Sequence, residues 1–222
     1  MPPSTHETLV LSDELRLVPV IQFGVASYAR QERADPTDYA DWPRYWEQCL
    51  ADSGIHGLVL VDPASSFVAL SQVTEPHVLR ELLRVQLESV GEEERSQSAL
   101  IGGQVLFDGE RLVLTPRCCC CLNSLADWDA ASRHDTATFY IGHPEAWADW
   151  EPPWVVLREY EDDTPGGAVL SEWRLSPAAL RRAVGPAREE QQAFARRLEP
   201  LVAERFPAES VQSIAATLAG LD

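Results

Sequence analysis

The stretch Leu100-Ile101-Gly102-Gly103-Gln104-Val105-Leu106-Phe107-Asp108-Gly109-Glu110-Arg111-Leu112-Val113-Leu114 decides the fold class. An Asp-Gly pair between two apolar runs is a favoured short connection of a β-hairpin, because the central residues of that turn need positive φ. Antiparallel pairing is therefore expected at the centre of the chain. Upstream, Leu15 to Phe23 reads as a strand, with Pro19 marking an edge or a bulge. Residues 37–52 place Tyr39, Trp42, Trp46 and Leu50 at helical spacing, and Gly54 ends that helix. Ile55–Val61 and Phe67–Gln72 read as a strand pair joined through Asp62-Pro63-Ala64-Ser65. Thr74-Glu75-Pro76 opens a further helix with Val78, Leu82, Val85 and Leu87 on its apolar face, and Gly91-Glu92-Glu93-Glu94 closes it as an acidic loop.

Downstream, the hairpin delivers the chain to four consecutive cysteines, Cys118 to Cys121. Asn123-Ser124 then caps a short helix through Leu125, Trp128 and Ala131. A strand-to-helix turn carrying thiols admits several readings. Four adjacent side chains diverge and cannot wrap one tetrahedral zinc, although Cys118 and Cys121 could make a half-site with His134 and His143. Strand, C-x-x-C, helix is a redox arrangement, and a helix N-terminus lowers a thiol's pKa. A nucleophilic cysteine with His134 or His143 as its base would need an oxyanion-stabilising motif, and none stands in the sequence. Cysteine is also a small buried hydrophobe suited to a tight turn. Packing is the reading adopted, with a thiol site on Cys118, Cys121 and His143 as the alternative; no catalytic residue, metal or cofactor is assigned.

Phe139-Tyr140-Ile141-Gly142-His143-Pro144 reads as a short strand and tight turn, followed by Trp147, Trp150 and Trp154. Glu145, Asp149 and Glu151 interleave with these rings. Aromatic anchors ringed by carboxylates suit a hot spot for a basic protein, so Glu145, Trp147, Asp149, Trp150 and Glu151 are the expected partner-binding residues. A second hairpin is expected from Trp154–Tyr160 to Ala168–Leu175 through residues 162–167. Beyond Ser176-Pro177 three helices are expected at 178–184, 187–205 and 208–219, separated by Gly185-Pro186 and Phe206-Pro207.

Composition narrows the function. The chain has 222 residues and a net charge of −17, and all 18 of its basic residues are arginine. The absence of lysine excludes lysine as base, Schiff-base former or phosphate anchor, and fits a GC-rich bacterial genome. Residues 1–177 hold 12 arginines against 29 acids, while residues 178–222 hold six of each. Such a body repels nucleic-acid phosphates and attracts basic proteins. No apolar run approaches the ~20 residues of a membrane span, and no secretory signal opens the sequence. A soluble, cytoplasmic protein is expected.

The series Pro116, Cys118-Cys119, Leu125, Trp128, the aromatic segment into Gly142-His143-Pro144, and Trp147 resembles a group of small bacterial proteins. They carry a Cys-Cys, Leu-x-x-Trp and Gly-His pattern, and some are similar to immunity proteins of polymorphic toxin systems, the SUKH class among them. The resemblance covers residues 111–154. It implies an α+β fold that neutralises a toxin by binding it and performs no chemistry of its own. The expectation is one α+β domain with a mostly antiparallel sheet flanked by helices. Its acidic body spans residues 1–176, and residues 177–222 form a helical extension packed on the same domain. Its function would be the capture of a basic protein, a toxin domain in the immunity reading, with a thiol-dependent redox protein or enzyme as the alternative.

Overall fold

The computed structural model describes residues 8–88, 98–137, 139–143, 146–161, 167–206 and 210–221, apart from the side chains of Tyr39 and Glu88. The fold is α+β, with strands in two mostly antiparallel sheets flanked by helices. The strands are β1 (Thr8–Val10), β2 (Leu15–Gln22), β3 (Phe67–Ala69), β4 (Gly102–Asp108), β5 (Arg111–Leu114), β6 (Ala146–Glu151), β7 (Trp154–Tyr160) and β8 (Val169–Leu175). The helices are α1 (Val25–Tyr28), α2 (Trp42–Ala51), α3 (Pro76–Glu88), α4 (Leu125–Ser132), α5 (Pro177–Arg205) and α6 (Val211–Leu218). The chain forms two compact units, each built from two distant stretches. The first is Met1–Val18 with Gly103–Glu189, and the second is Pro19–Gly102 with Glu190–Asp222.

The first unit holds a sheet of order β1-β8-β7-β6, in which β1 pairs parallel to β8 and the other pairs are antiparallel. One face carries Val155, Leu157, Trp173 and Leu175. They share a core with Trp128 of α4 and with Ala179, Leu180, Ala183, Val184 and Ala187 of α5. Trp128 is fully buried, and Phe139 meets it edge-on at 4.9 Å between ring centroids. The expected central hairpin is present as β4–β5, displaced by one residue. Asp108 pairs with Arg111 and leaves Gly109-Glu110 as the connecting residues. The displacement has an electrostatic cause. The Asp108 carboxylate accepts hydrogen bonds from the backbone N–H and hydroxyl of Ser12 and pairs with Arg111, which anchors it in the ladder. These bonds, Ser12's hydroxyl first, hold its pKa below the usual carboxylate range.

In the second unit β3 pairs with the end of β2, Val20 facing Ala69 and Gln22 facing Phe67. The expected strand pair 55–61 and 67–72 is not formed. Only Leu60 makes a bridge, to Val68, and residues 70–72 turn into a 3₁₀ helix. Gly54 and Gly57 take φ of 72° and 75°, which breaks an extended run before it can pair. The side chain of Gln72 then serves Val59 as a strand neighbour would. It accepts from the Val59 N–H at 2.8 Å and donates to its carbonyl at 3.0 Å. Buried Phe23, Trp46, Leu50, Leu82, Phe194 and Leu198 belong to this unit's core, and Trp46 donates its indole N–H to the Phe23 carbonyl at 2.9 Å.

The expected break at Gly185-Pro186 is absent: α5 runs unbroken from Pro177 to Arg205. A helix-interior proline costs about 3 kcal/mol, whereas each well-buried aliphatic side chain returns roughly 1.5–3 kcal/mol. The stripe from Ala179 to Ala187 continues on one face through the break, so burial outweighs the local penalty. Gly185 carries a purely local cost, since a Cβ added there would meet no atom within 4 Å. Gly185→Ala is expected to stabilise the protein by about 0.8–1 kcal/mol, the helix-propensity difference. A higher urea midpoint at unchanged slope would show it, and an unchanged midpoint would contradict it.

Candidate functional site

The cysteine run begins as a β-turn of the first unit, Arg117-Cys118-Cys119-Cys120, closed by the Cys120 N–H on the Arg117 carbonyl at 3.4 Å. Cys119, at its third position, has φ of 64°. That is where a type II turn favours glycine. A bridge between Cys118 and His143 holds the turn, through Arg117 N–H to the Ile141 carbonyl at 2.7 Å and His143 N–H to the Cys118 carbonyl at 3.1 Å. Gly142 makes the approach possible: it has φ of 99°, and a Cβ there would lie 2.4 Å from the Cys118 carbonyl oxygen.

The four thiols then part company. Cys120 is buried, close enough to Gly103 that a Cβ on that glycine would lie 2.9 Å from its Sγ. Burial pushes its pKa up to about 11, and burial also raises that of half-buried Cys121. Packing thus accounts for Cys120 and not for Cys118 and Cys119, which are exposed. The Cys118 thiol donates to the His143 carbonyl at 3.3 Å, while the imidazole Nδ1 of His143 meets the Tyr140 hydroxyl at 3.0 Å. His134 stacks on Trp150 at 3.8 Å. Among the described residues no three His, Cys, Asp or Glu side chains assemble into a metal-binding group.

The expected partner-binding segment forms strand β6, paired with β7 from Ala146–Glu159 to Glu151–Trp154. Pro144 and Glu145 lie outside the described residues. Strand alternation separates the other expected partner-binding residues. Trp150 shares a face with Ala146 and Ala148 and packs against the core. Trp147, Asp149 and Glu151 point the other way, and both acids pair with Arg158, at 3.0 and 2.5 Å. Arg158 also pairs with Glu172, and Arg174 with Glu151 and Glu172. Burial works to raise the Glu172 pKa, but these two guanidiniums outweigh it and hold the carboxyl low. The charge of this face is largely spent within the sheet.

Unpaired charge gathers in the second unit. Between Arg30 and Asp62 seven carboxylates stand against three arginines, and only Asp52 forms an ion pair with another described residue. Asp52 fixes the segment's start. It accepts from the backbone N–H groups of Arg30 and Gln31 at 3.0 and 3.2 Å and takes a forked pair from Arg33. From there Asp35, Asp38, Asp41 and Glu47 stay exposed. Half-buried Trp42 donates its indole N–H to the Ser65 carbonyl at 2.6 Å, and Tyr45 donates its hydroxyl to Asp35 at 2.8 Å. That bond, first among its causes, pushes the Tyr45 pKa up to about 12. Asp35, Pro36, Thr37, Asp38 and Trp42 line a cavity of about 390 Å³. An indole beside two carboxylates matches an arginine or lysine side chain, by cation–π contact and charge together. Read along the sequence, Asp35, Asp38 and Asp41 look like an ordinary solvated face. The signal that could have separated them is the scarcity of arginine within helical reach.

No protein family, curated protein or solved structure matches the chain.

Two outcomes follow from this geometry. The Arg33 hydrogen bonds, with those from the Arg30 and Gln31 amides, hold the Asp52 carboxyl well below the usual carboxylate range. Its stabilising contribution is complete above the unfolded-state pKa of about 4 and is lost as pH falls from there toward the folded value. Asp52→Asn should lower stability at neutral pH and flatten its fall between about pH 5 and pH 2; parallel profiles for the two proteins would contradict this. Cys119→Gly removes the left-handed penalty and adds some unfolded-state entropy, for a net gain of about 0.5–1 kcal/mol. Chemical denaturation would measure it, and a loss of stability would contradict it.

Proposed function

We propose that this chain is a non-enzymatic protein-binding protein that docks a basic partner on the Asp35–Glu47 edge of its second unit. The observation that carries this reading is the contrast between carboxylates answered within the fold, as on β6, and those of residues 32–47, which no described cation answers. Trp42 and Tyr45 add aromatic surface held at fixed orientation by hydrogen bonds, the type of anchor that dominates binding energies. An uncompensated acidic edge draws in a basic protein by long-range attraction, and the aromatic cavity then holds one of its cationic side chains. Neutralisation of a basic toxin domain is the form of this activity that the resemblance over residues 111–154 implies. Among the described residues no helix is long and apolar enough to cross a membrane.

The test screens the products of neighbouring genes for a basic protein that binds the parent chain and uses that protein as the probe. Asp38→Arg, Asp41→Arg and Glu47→Arg together should lower its association rate at least ~10-fold at low salt, with the difference closing as salt screens the attraction. Trp42→Ala should speed dissociation instead. Asp149→Arg with Glu151→Arg should disturb association far less, since those acids are neutralised by Arg158 and Arg174. Equal rates for the triple variant and the parent, or no binding by either, would overturn the proposal.

A further inference from the structure

Cys118 and Cys119 occupy the two corner positions of the turn that the Cys120 N–H closes on Arg117. Both side chains are exposed, whereas Cys120 is buried and Cys121 half-buried. The corner is held on its other side by Gly142 and His143, so the two thiols sit on a fixed backbone. Cys119 keeps a φ of 64°, where glycine would fit without strain. A side chain retained at a strained backbone position directs attention to what that side chain does. The adjacent Cys118 thiol raises the Cys119 pKa, so this pair is poorly suited to act as a lone thiolate nucleophile at neutral pH.

Chain geometry restricts what two neighbouring thiols can do together. Adjacent Cα atoms lie about 3.8 Å apart, below the roughly 4.4–6.8 Å that disulfides span. A direct S–S bond here is strained, and an atom inserted between the sulfurs relieves that strain. A linear two-coordinate ion needs its thiolates on opposite sides, which two corners of one turn do not supply. Zinc needs four ligands. A pyramidal trivalent arsenic takes two sulfurs on the same side of itself.

We propose that Cys118 and Cys119 form a vicinal-dithiol site for trivalent arsenicals. The step is a ligand exchange without electron transfer. In a hydrated aryl arsenoxide two As–O bonds break and two As–S bonds form. Each thiol proton leaves on a departing hydroxide as water, and arsenic stays trivalent. The second As–S bond closes within one turn and adds little ordering cost, so the pair holds arsenic far more firmly than either thiol alone.

Phenylarsine oxide added to the intact, reduced chain tests this, with native mass spectrometry as the readout. One aryl-arsenic should be retained per chain in excess 2-mercaptoethanol and released by 2,3-dimercaptopropanol. Cys118→Ser and Cys119→Ser should each weaken retention by about 100-fold or more, the range of an intramolecular second bond. Cys49→Ser and Cys121→Ser should retain it. Cys119→Gly separates chemistry from folding, because it should lose the arsenical while unfolding at a higher temperature. Release by the monothiol, retention in either the Cys118 or the Cys119 variant, or dependence on Cys121 would overturn the assignment.

Discussion

Unit one rests on a stripe of small side chains. Ala179, Leu180, Ala183, Val184 and Ala187 of α5 share a core with Val155, Leu157, Trp173 and Leu175 of the sheet and with Trp128 of α4. Alanines let the helix approach closely, while the larger side chains fill the space between. Strands β2, β4, β5 and β6 add Leu15, Leu17, Leu106, Leu114 and Ala146 to the same core. Arg181 of α5 donates to the Ser132 carbonyl at the end of α4, and Arg188 pairs with Asp129 at 2.7 Å. These polar links border the apolar stripe, and they add orientation more than energy.

Charge is handled in two different ways within one molecule. On the sheet, Arg158 and Arg174 are interleaved with Asp149, Glu151 and Glu172, so carboxylates are neutralised where they stand. In the segment leading into α2, Asp52 is answered by Arg33, while Asp35, Asp38, Asp41 and Glu47 carry their charge into solvent. A protein under pressure only to remain dispersed would have no need to place a tryptophan and a tyrosine among the unanswered acids.

Much of the architecture could be read from residue order. The Asp108-Gly109 pair located the central hairpin, helical spacing of Trp42, Trp46 and Leu50 located α2, and α3 and the β7–β8 pairing follow the apolar patterns. What escaped were outcomes decided by partners distant in sequence. Ser12 pulled Asp108 into the ladder, Gln72 replaced a strand neighbour at Val59, and burial carried α5 through Gly185-Pro186. The same holds for the site. Trp147, Asp149 and Glu151 invite attention as a string of letters, but the arginines that neutralise the two acids stand on β7 and β8. The four cysteines look equivalent in the sequence, and only the turn's geometry exposes two of them and buries a third.

Each unit draws on stretches far apart in the chain, which sets an order of events during synthesis. Strand β1 has its partner β8 more than 150 positions later and waits unpaired while the intervening polypeptide emerges from the ribosome. The second unit waits longer still, since Phe194, Leu198 and the α6 carbonyl of Leu218 that accepts from Leu100 all come later in the chain than β8. Loop closure of this span delays the reward of native contacts. The apolar strands of both units therefore stay uncovered while the intervening residues are made, and residues 1–177, with 12 arginines against 29 acids, already hold the negative charge that disfavours self-association in that interval.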